Sequence, residues 1–164
     1  LAGIHPDHPE FDIIGTIGIL EKISAVARVP PSRYVACHND LLADNFVLAG
    51  EPDRYGSPMC LIDWEYGGMA HPYYDLADMF QEILVTRETE NGLLKVYWGE
   101  KDFDDHRYLT DAFKPFPDIY WFLWSLIQLN VSKIPFDYYT YGRVKYENAR
   151  KNIDFLRHNH GLKI

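Results

Sequence analysis

Cysteine is scarce: only Cys37 and Cys60 occur in 164 residues. That excludes a disulfide framework as the basis of the fold. Both lie in apolar, strand-like runs, so the expectation is two buried thiols in a reducing cytoplasm. Long apolar runs are missing too, and none approaches the ~20 residues a membrane-spanning helix needs. No stretch has the pattern of a signal peptide. Basic residues are in the minority, 16 Lys and Arg against 24 Asp and Glu, for a net charge of −8. This balance argues against nucleic acid or an anionic membrane surface as the main partner and is compatible with a cationic ligand. There is no internal repeat, no low-complexity tract and no glycine-rich G-x-G-x-x-G loop. An initiating Met is absent as well, and the chain opens mid-pattern with Leu1-Ala2-Gly3-Ile4. The expectation is a piece of a longer protein, with length enough for one domain and a core.

What is present is strongly patterned. Ile13, Ile14, Ile17, Leu20, Ile23 and Ala27 recur at helical spacing within residues 10–28, and Pro30 and Pro31 end that helix. Tyr34–Cys37 reads as a short strand and residues 38–44 as a polar loop. Asn45–Leu48 and Met59–Ile62 read as two strands of a β-hairpin, joined across Gly50, Pro52, Asp53, Gly56 and Pro58. Gly67 and Gly68 open the next loop, and Pro72 sits at the first turn of a helix. From there the reading is helical throughout: a stripe of Tyr73, Leu76, Ala77, Phe80, Ile83 and Leu84, then helices over 88–97 and 104–113. An apolar helix follows from Pro115 to about Ser132, and a last one runs from Pro135 and Asp137 to about His158, with Gly161 beyond it. Twelve Tyr and four Trp are crowded toward the C-terminal half.

The stretch from Cys37 to Asp78 carries the chemistry. Asp40 lies three residues past a strand, where a carboxylate can accept a proton from a substrate hydroxyl. Asn45 opens the next strand with a neutral oxygen suited to Mg²⁺, and Asp63 closes the strand after it. If those strands pair, Asn45 and Asp63 meet at the open end of the hairpin. Any one of the three alone is an ordinary turn residue. All three at this spacing, behind apolar strand residues, suit a hard cation and a phosphate ester.

The pattern H-x-D-x-x-x-x-N in His38–Asn45, followed by Ile62-Asp63-Trp64-Glu65-Tyr66, resembles the choline/ethanolamine kinases. More broadly it resembles the aminoglycoside-phosphotransferase-like kinases, cousins of the protein kinases. The resemblance covers nearly the whole chain but only that family's C-terminal lobe. It implies an α+β, protein-kinase-like C-terminal lobe over residues 1–164, mostly helical, with a small β-hairpin carrying the catalytic loop and metal site. Asp40 is then the catalytic base, and Asn45 and Asp63 hold Mg²⁺ on the phosphates of ATP. His38 could serve as a base, but reads instead as structural, hydrogen-bonding backbone near the metal aspartate and shaping the loop; Asp75 reads as structural support. Asn39 and Trp64-Glu65 depart from the protein-kinase pattern, so neither activation-loop control nor a switching metal loop is expected. Glu65 reads either as support for a second metal through water or as a surface residue.

For the acceptor, Asp75, Asp78 and Glu82 recur at three and four residues, an acidic face turned away from the Leu76/Phe80/Ile83 stripe. Glu82 matches the family's glutamate near the cationic head of the substrate. Trp121 and Trp124 share a helix face with Gln128 a turn on, and Tyr138 and Tyr141 are likewise three apart. Such stripes are commonly core. Two pairs on consecutive helices also suit an aromatic cage for a quaternary ammonium, and they resemble the choline-kinase Trp and Tyr pairs. Lys145 reads as a solvated residue or an ion-pair partner. The implied activity is ATP-dependent phosphoryl transfer to the hydroxyl of a small cationic amino alcohol, choline first and ethanolamine next.

Neither a glycine-rich loop nor a nucleotide-binding strand lysine is present, so an N-terminal kinase lobe is the expected partner and the 164 residues alone are expected to turn over poorly. No nucleic acid or membrane partner is expected. The alternatives are an aminoglycoside or other small-molecule phosphotransferase, a catalytically silent ligand-binding module, and a metal-dependent hydrolase using the same trio with His71 as the extra ligand.

Overall fold

The structure, a computed structural model, describes residues 7–8, 10–48, 50–51 and 56–164. Of the turn predicted between the paired strands, Pro52 and Asp53 lie outside the described residues. The elements run β1 (Asp7–His8), β2 (Phe11–Asp12), α1 (Ile13–Val26), β3 (Val35–Cys37), β4 (Phe46–Leu48), β5 (Met59–Leu61), β6 (Gly68–Ala70), α2 (Pro72–Ile83), α3 (Arg87–Trp98), α4 (Phe103–Phe113), α5 (Pro115–Val131) and α6 (Tyr138–Asn159). The described chain divides into a terminal unit, Leu1–Arg28 with Tyr108–Ile164, and a central unit, Val29–Arg107.

Local chemistry explains where the helices begin and end. Asp12 caps α1 by accepting from the Gly15 amide at 2.9 Å, and the Thr16 hydroxyl donates back to the Asp12 carbonyl. A Cβ on Gly15 would lie 2.2 Å from the Asp12 carboxylate, so this cap requires glycine there. Thr86 caps α3, which stops at Gly99 with φ +83°. Asp137 caps α6 through the Thr140 amide at 3.0 Å, and that bond holds its carboxyl below the usual range. Proline sits in the first turn of α2 and α5, where no amide hydrogen is needed.

The terminal unit buries Phe11 with Leu20 and Ile23 of α1, Phe122 of α5, and Ile153 and Leu156 of α6. Phe11 meets the Phe122 and Tyr146 rings edge-on at 4.9 and 5.0 Å. Helices α5 and α6 approach closely because Gly142 has no side chain: a Cβ there would lie 1.9 Å from Ser125 Oγ and 3.0 Å from Ser125 Cβ.

The central unit has two antiparallel strand pairs. Strand β4 pairs with β5 in the register Phe46↔Leu61, Val47↔Cys60, Leu48↔Met59, the hairpin predicted from sequence. Strand β3 pairs with β6 as Val35↔Ala70, Ala36↔Met69, Cys37↔Gly68. That second pair corrects the reading of Gly68 as part of a loop opening, while Gly67 stays outside the strand. A three-residue strand starting on glycine shows no alternation, and only its distant partner defines it. With β1–β2 the described sheet content is three two-stranded ribbons, not one hairpin. Cys37 is buried but Cys60 is exposed, against expectation, as are its neighbours Val47, Leu48 and Met59 on the β4–β5 ribbon. A second core joins α2 and α3 through Leu76, Phe80 and Leu94. Below it Arg107 pairs with the buried Glu90 at 2.8 Å.

Candidate active site

The loop between β3 and β4 is held from two sides. On one side stands α2. The His38 amide donates to Asp75 Oδ2 at 2.8 Å and the Asn39 amide to Asp75 Oδ1 at 2.7 Å. One turn on, Asp78 Oδ2 accepts from the Leu41 amide at 2.7 Å. Two carboxylates three residues apart thus accept from the amides of His38, Asn39 and Leu41, and hydrogen bonds to a charged acceptor are the stronger kind. The sequence placed Asp78 on an acidic face turned away from the apolar stripe, and in the structure its side chain is fully buried. The spacing was visible in the sequence; its direction was not.

On the other side stands the segment around Asp63. His38 Nε2 lies 2.7 Å from the Ile62 carbonyl, and the His38 ring meets Trp64 edge-on at 4.8 Å. Asn39 adopts φ +64° and its side-chain amide donates to the Tyr66 carbonyl at 2.9 Å. Asp63 also adopts the left-handed conformation, φ +65°, which turns the chain sharply into the 3-10 turn Trp64–Tyr66. A Cβ on Gly67 would lie 2.9 Å from the Trp64 carbonyl, so the turn closes only on glycine.

Asp40 is buried between these supports. Its Oδ1 has no hydrogen-bond partner among the described residues. Burial pushes its carboxyl above the usual range, His38 opposes this, and the charges of Glu82, Asp63 and Glu65 add to it. The geometry therefore gathers four of the sequence-singled carboxylates, Asp40, Asp63, Glu65 and Glu82, within one electrostatic neighbourhood. Asn45 is buried, and its side-chain Nδ2 donates to the Asp40 carbonyl at 2.8 Å, which leaves Oδ1 as the oxygen free to face a cation. The ladder of β4 and β5 continues one step past the strands, with the Ile62 amide donating to the Asn45 carbonyl at 3.0 Å. Asp63 is the next residue along.

Among the described residues no three His, Cys, Asp or Glu side chains converge as a metal site. An amide oxygen and a carboxylate nonetheless fit Mg²⁺, which keeps water and takes phosphate oxygens for its remaining positions. The orphaned oxygen of Asp40 and the surplus of negative charge around it suit a cation at this place. His71, the extra ligand of the hydrolase reading, instead caps α2 by accepting from the Tyr73 amide, and burial brings its pKa down to about 4.

Behind the loop lies a mostly apolar cavity of about 610 Å³, lined among others by Cys37, His38, Trp64, Leu76, Met79 and Tyr97. Asp40, Asn45 and Asp63 do not line it. Burial and the adjacent Asp75 push the Cys37 thiol up to about 12, so it is an inert wall residue.

In the terminal unit the two sequence-predicted aromatic pairs do come together. Trp121 and Trp124 lie edge-on with centroids 5.8 Å apart, and Trp124 meets Tyr138 at 5.6 Å and Tyr141 at 6.4 Å. Phe136 joins them, 4.9 Å from Tyr138 and 5.8 Å from Tyr141; sequence reasoning passed over it because it falls outside the helical spacing. The Tyr138 hydroxyl is 2.8 Å from Ser132 Oγ. Lys145 is buried, which removes the solvated reading and leaves that of an ion-pair partner, here of Asp118.

Known proteins share this fold. The chain is 29% identical over 134 residues to a probable ethanolamine kinase of Arabidopsis thaliana, an alignment covering 71% of this chain and 35% of the relative. It superposes on a choline/ethanolamine kinase family protein from Mesorhizobium loti with a TM-score of 0.72 and 27% identity, covering 93% of this chain and 49% of the other. A choline kinase, LicA, from Streptococcus pneumoniae gives a TM-score of 0.60 and 27% identity, covering 90% and 48%. The chain thus spans about a third of the length of the curated relatives it matches and about half of these solved chains. Residues 6–109, which hold the whole of the central unit, match the phosphotransferase enzyme family, and the chain belongs to that family.

Proposed function

We propose that the protein transfers the terminal phosphoryl group of ATP to the hydroxyl of a small cationic amino alcohol, with choline as the preferred acceptor. One observation carries the reading: a buried aspartate, Asp40, on a loop pinned through its amides by Asp75 and Asp78, beside Asn45 and Asp63 at the open end of a hairpin. Asp40 orients the acceptor hydroxyl and receives its proton, and its raised pKa makes it a better proton acceptor than an exposed carboxylate. Asn45 and Asp63 would hold Mg²⁺, which when bound offsets the negative charge of the nucleotide phosphates. His38, Asn39 and Trp64 keep the Asp63 segment in place. Phosphoryl transfer of this kind depends mainly on positioning and charge neutralisation, which a rigid loop supplies.

The acceptor's positive end is assigned to Trp121, Trp124, Tyr138 and Tyr141, whose ring faces attract a cation by about 0.5–2 kcal/mol each. Four aromatic rings grouped about Trp124 favour a quaternary ammonium over a polyamine sugar, whose polar groups would be left without partners there. Glu82 offers a hydrogen-bond acceptor, which keeps ethanolamine as the second candidate. That solved and curated relatives are named as choline and ethanolamine kinases supports both.

The test is a thermal-shift and phosphorylation panel on the full-length protein with Mg-ATP and choline, ethanolamine or kanamycin. Stabilisation and turnover with choline are expected. A response to kanamycin alone discards the amino-alcohol reading.

A further inference from the structure

We propose that Asn39, the residue between His38 and Asp40 that the sequence motif leaves open, is a positioning residue. Its side chain fixes the spacing between Asp40, the proposed proton acceptor, and Asp63, the proposed metal ligand. The inference rests on those two assignments under the proposed function. Two side chains of the β3–β4 loop reach across to the Asp63 segment, and they meet it on either side of Asp63. His38 Nε2 lies 2.7 Å from the Ile62 carbonyl, just before Asp63, and since a carbonyl only accepts, Nε2 is the donor. Asn39 Nδ2 donates to the Tyr66 carbonyl, beyond Asp63, at 2.9 Å. The 3-10 turn Trp64–Tyr66 is therefore tied at its far end as well as ahead of its first residue. Asp40 follows Asn39 directly, so the second tie starts beside the proposed proton acceptor.

The backbone explains why this position holds asparagine. The Asn39 amide donates to Asp75 Oδ1 at 2.7 Å, and the residue sits at φ +64°, in the left-handed region. Glycine, asparagine and aspartate are the residues that enter this region at small cost. Glycine has no side chain, and an ionised aspartate only accepts hydrogen bonds. Of the three, asparagine alone combines the left-handed backbone with a side-chain donor for the Tyr66 carbonyl. The grip of Asp75 on the loop amide and the His38 bond to Ile62 do not use the Asn39 side chain, so truncating that side chain frees only the far end of the turn. Asp63, itself left-handed at φ +65°, can then shift relative to Asp40. Phosphoryl transfer depends on such alignment, and groups that orient a metal ligand from behind tune the affinity for the metal.

The experiment compares Asn39→Gly with Asn39→Ala in the full-length protein. Glycine takes the left-handed backbone freely, and alanine does not. A position that served only the backbone would give parental behaviour with glycine and damage with alanine. A side-chain tie predicts damage in both. The expected result in both variants is a kcat for choline phosphorylation about tenfold lower, a half-saturating Mg²⁺ concentration about threefold to tenfold higher, and an unchanged KM for choline. A second readout needs neither metal nor turnover. Hydrogen exchange of the metal-free protein, followed by mass spectrometry, is expected to be about tenfold faster over residues 64–68 in Asn39→Gly, where the Gly67 amide bonds the Trp64 carbonyl, and unchanged in the rest of the central unit. Parental kcat or parental exchange in Asn39→Gly overturns the inference. Exchange raised equally throughout the central unit, or an Asn39→Gly variant that does not fold, assigns Asn39 to general stability and also overturns it. If Asn39→Ala does not fold, Asn39→Gly decides alone. A parent that phosphorylates no amino alcohol discards the proposed function, and exchange over residues 64–68 still decides whether Asn39 ties the turn.

Discussion

The side chain that matters most is Asp40, a carboxylate kept out of water and surrounded by its own kind. Replacing it with Asn preserves shape and removes the proposed proton acceptor. The expected outcome is a loss of turnover of about 10²–10⁴ in the full-length protein with an unchanged melting temperature, read by a coupled assay and circular dichroism. Survival of activity would remove Asp40 as the base. His71 supplies a pH test. Burial lowers its pKa from 6.5 to about 4, so the folded protein takes up the proton less readily than the unfolded chain. Its contribution to stability is complete above about pH 6.5 and is lost as the pH falls toward 4. Urea denaturation midpoints measured from pH 7 to pH 4 should therefore fall, and less so in His71→Asn. Asp40 and Asn45 stood out in the sequence because their spacing is local. The burial that tunes them was not legible, because burial is set by chain segments that no local pattern names.

Helix α2 works as a clamp. Its Asp75 and Asp78 hold the amides of His38, Asn39 and Leu41, so these two side chains fix the loop. Asp78→Ala leaves a buried amide without its charged acceptor and is expected to cost about 2–3 kcal/mol in denaturant unfolding. A fall in kcat is expected to accompany it as Asp40 loses its position. An unchanged kcat in a destabilised protein would reduce α2 to scaffolding. The α5–α6 contact gives the second element-scale test. Alanine is normally the better helix former by about 1 kcal/mol. Gly142→Ala is nevertheless expected to destabilise, by about 1–3 kcal/mol, because its Cβ would meet Ser125 Oγ at 1.9 Å while that hydroxyl bonds the Phe122 carbonyl. Ser125→Ala in the same chain is expected to recover part of the loss, a coupling that a double-mutant cycle measures. The helices themselves were readable from the sequence, since caps and prolines act within a turn. Strand β6 was not, because Gly68–Ala70 becomes a strand only through β3.

For the whole molecule, the family membership and the length of the relatives bear on activity. The chain covers about half of the solved family members it superposes on, and it carries no glycine-rich loop. If phosphate binding needs a further lobe, the 164 residues alone should phosphorylate choline about a hundredfold more slowly than the full-length protein, or not at all. Equal rates would show that these residues suffice. No described helix is long and apolar enough to cross a membrane, as the scarcity of apolar runs foretold. The sequence by itself determined the order of helices, the β4–β5 hairpin, and the His38–Asn45 and Asp63 motifs, all of which depend on neighbours a few residues apart. Only the tertiary structure decided that β3 pairs with β6, that Asp75 and Asp78 turn inward to the loop amides, that Cys60 is exposed, and that Lys145 is buried on Asp118. The reason is physical: a charge or a strand edge is indifferent to its fate until the fold brings it a partner or leaves it in water, and that partner lies far along the chain.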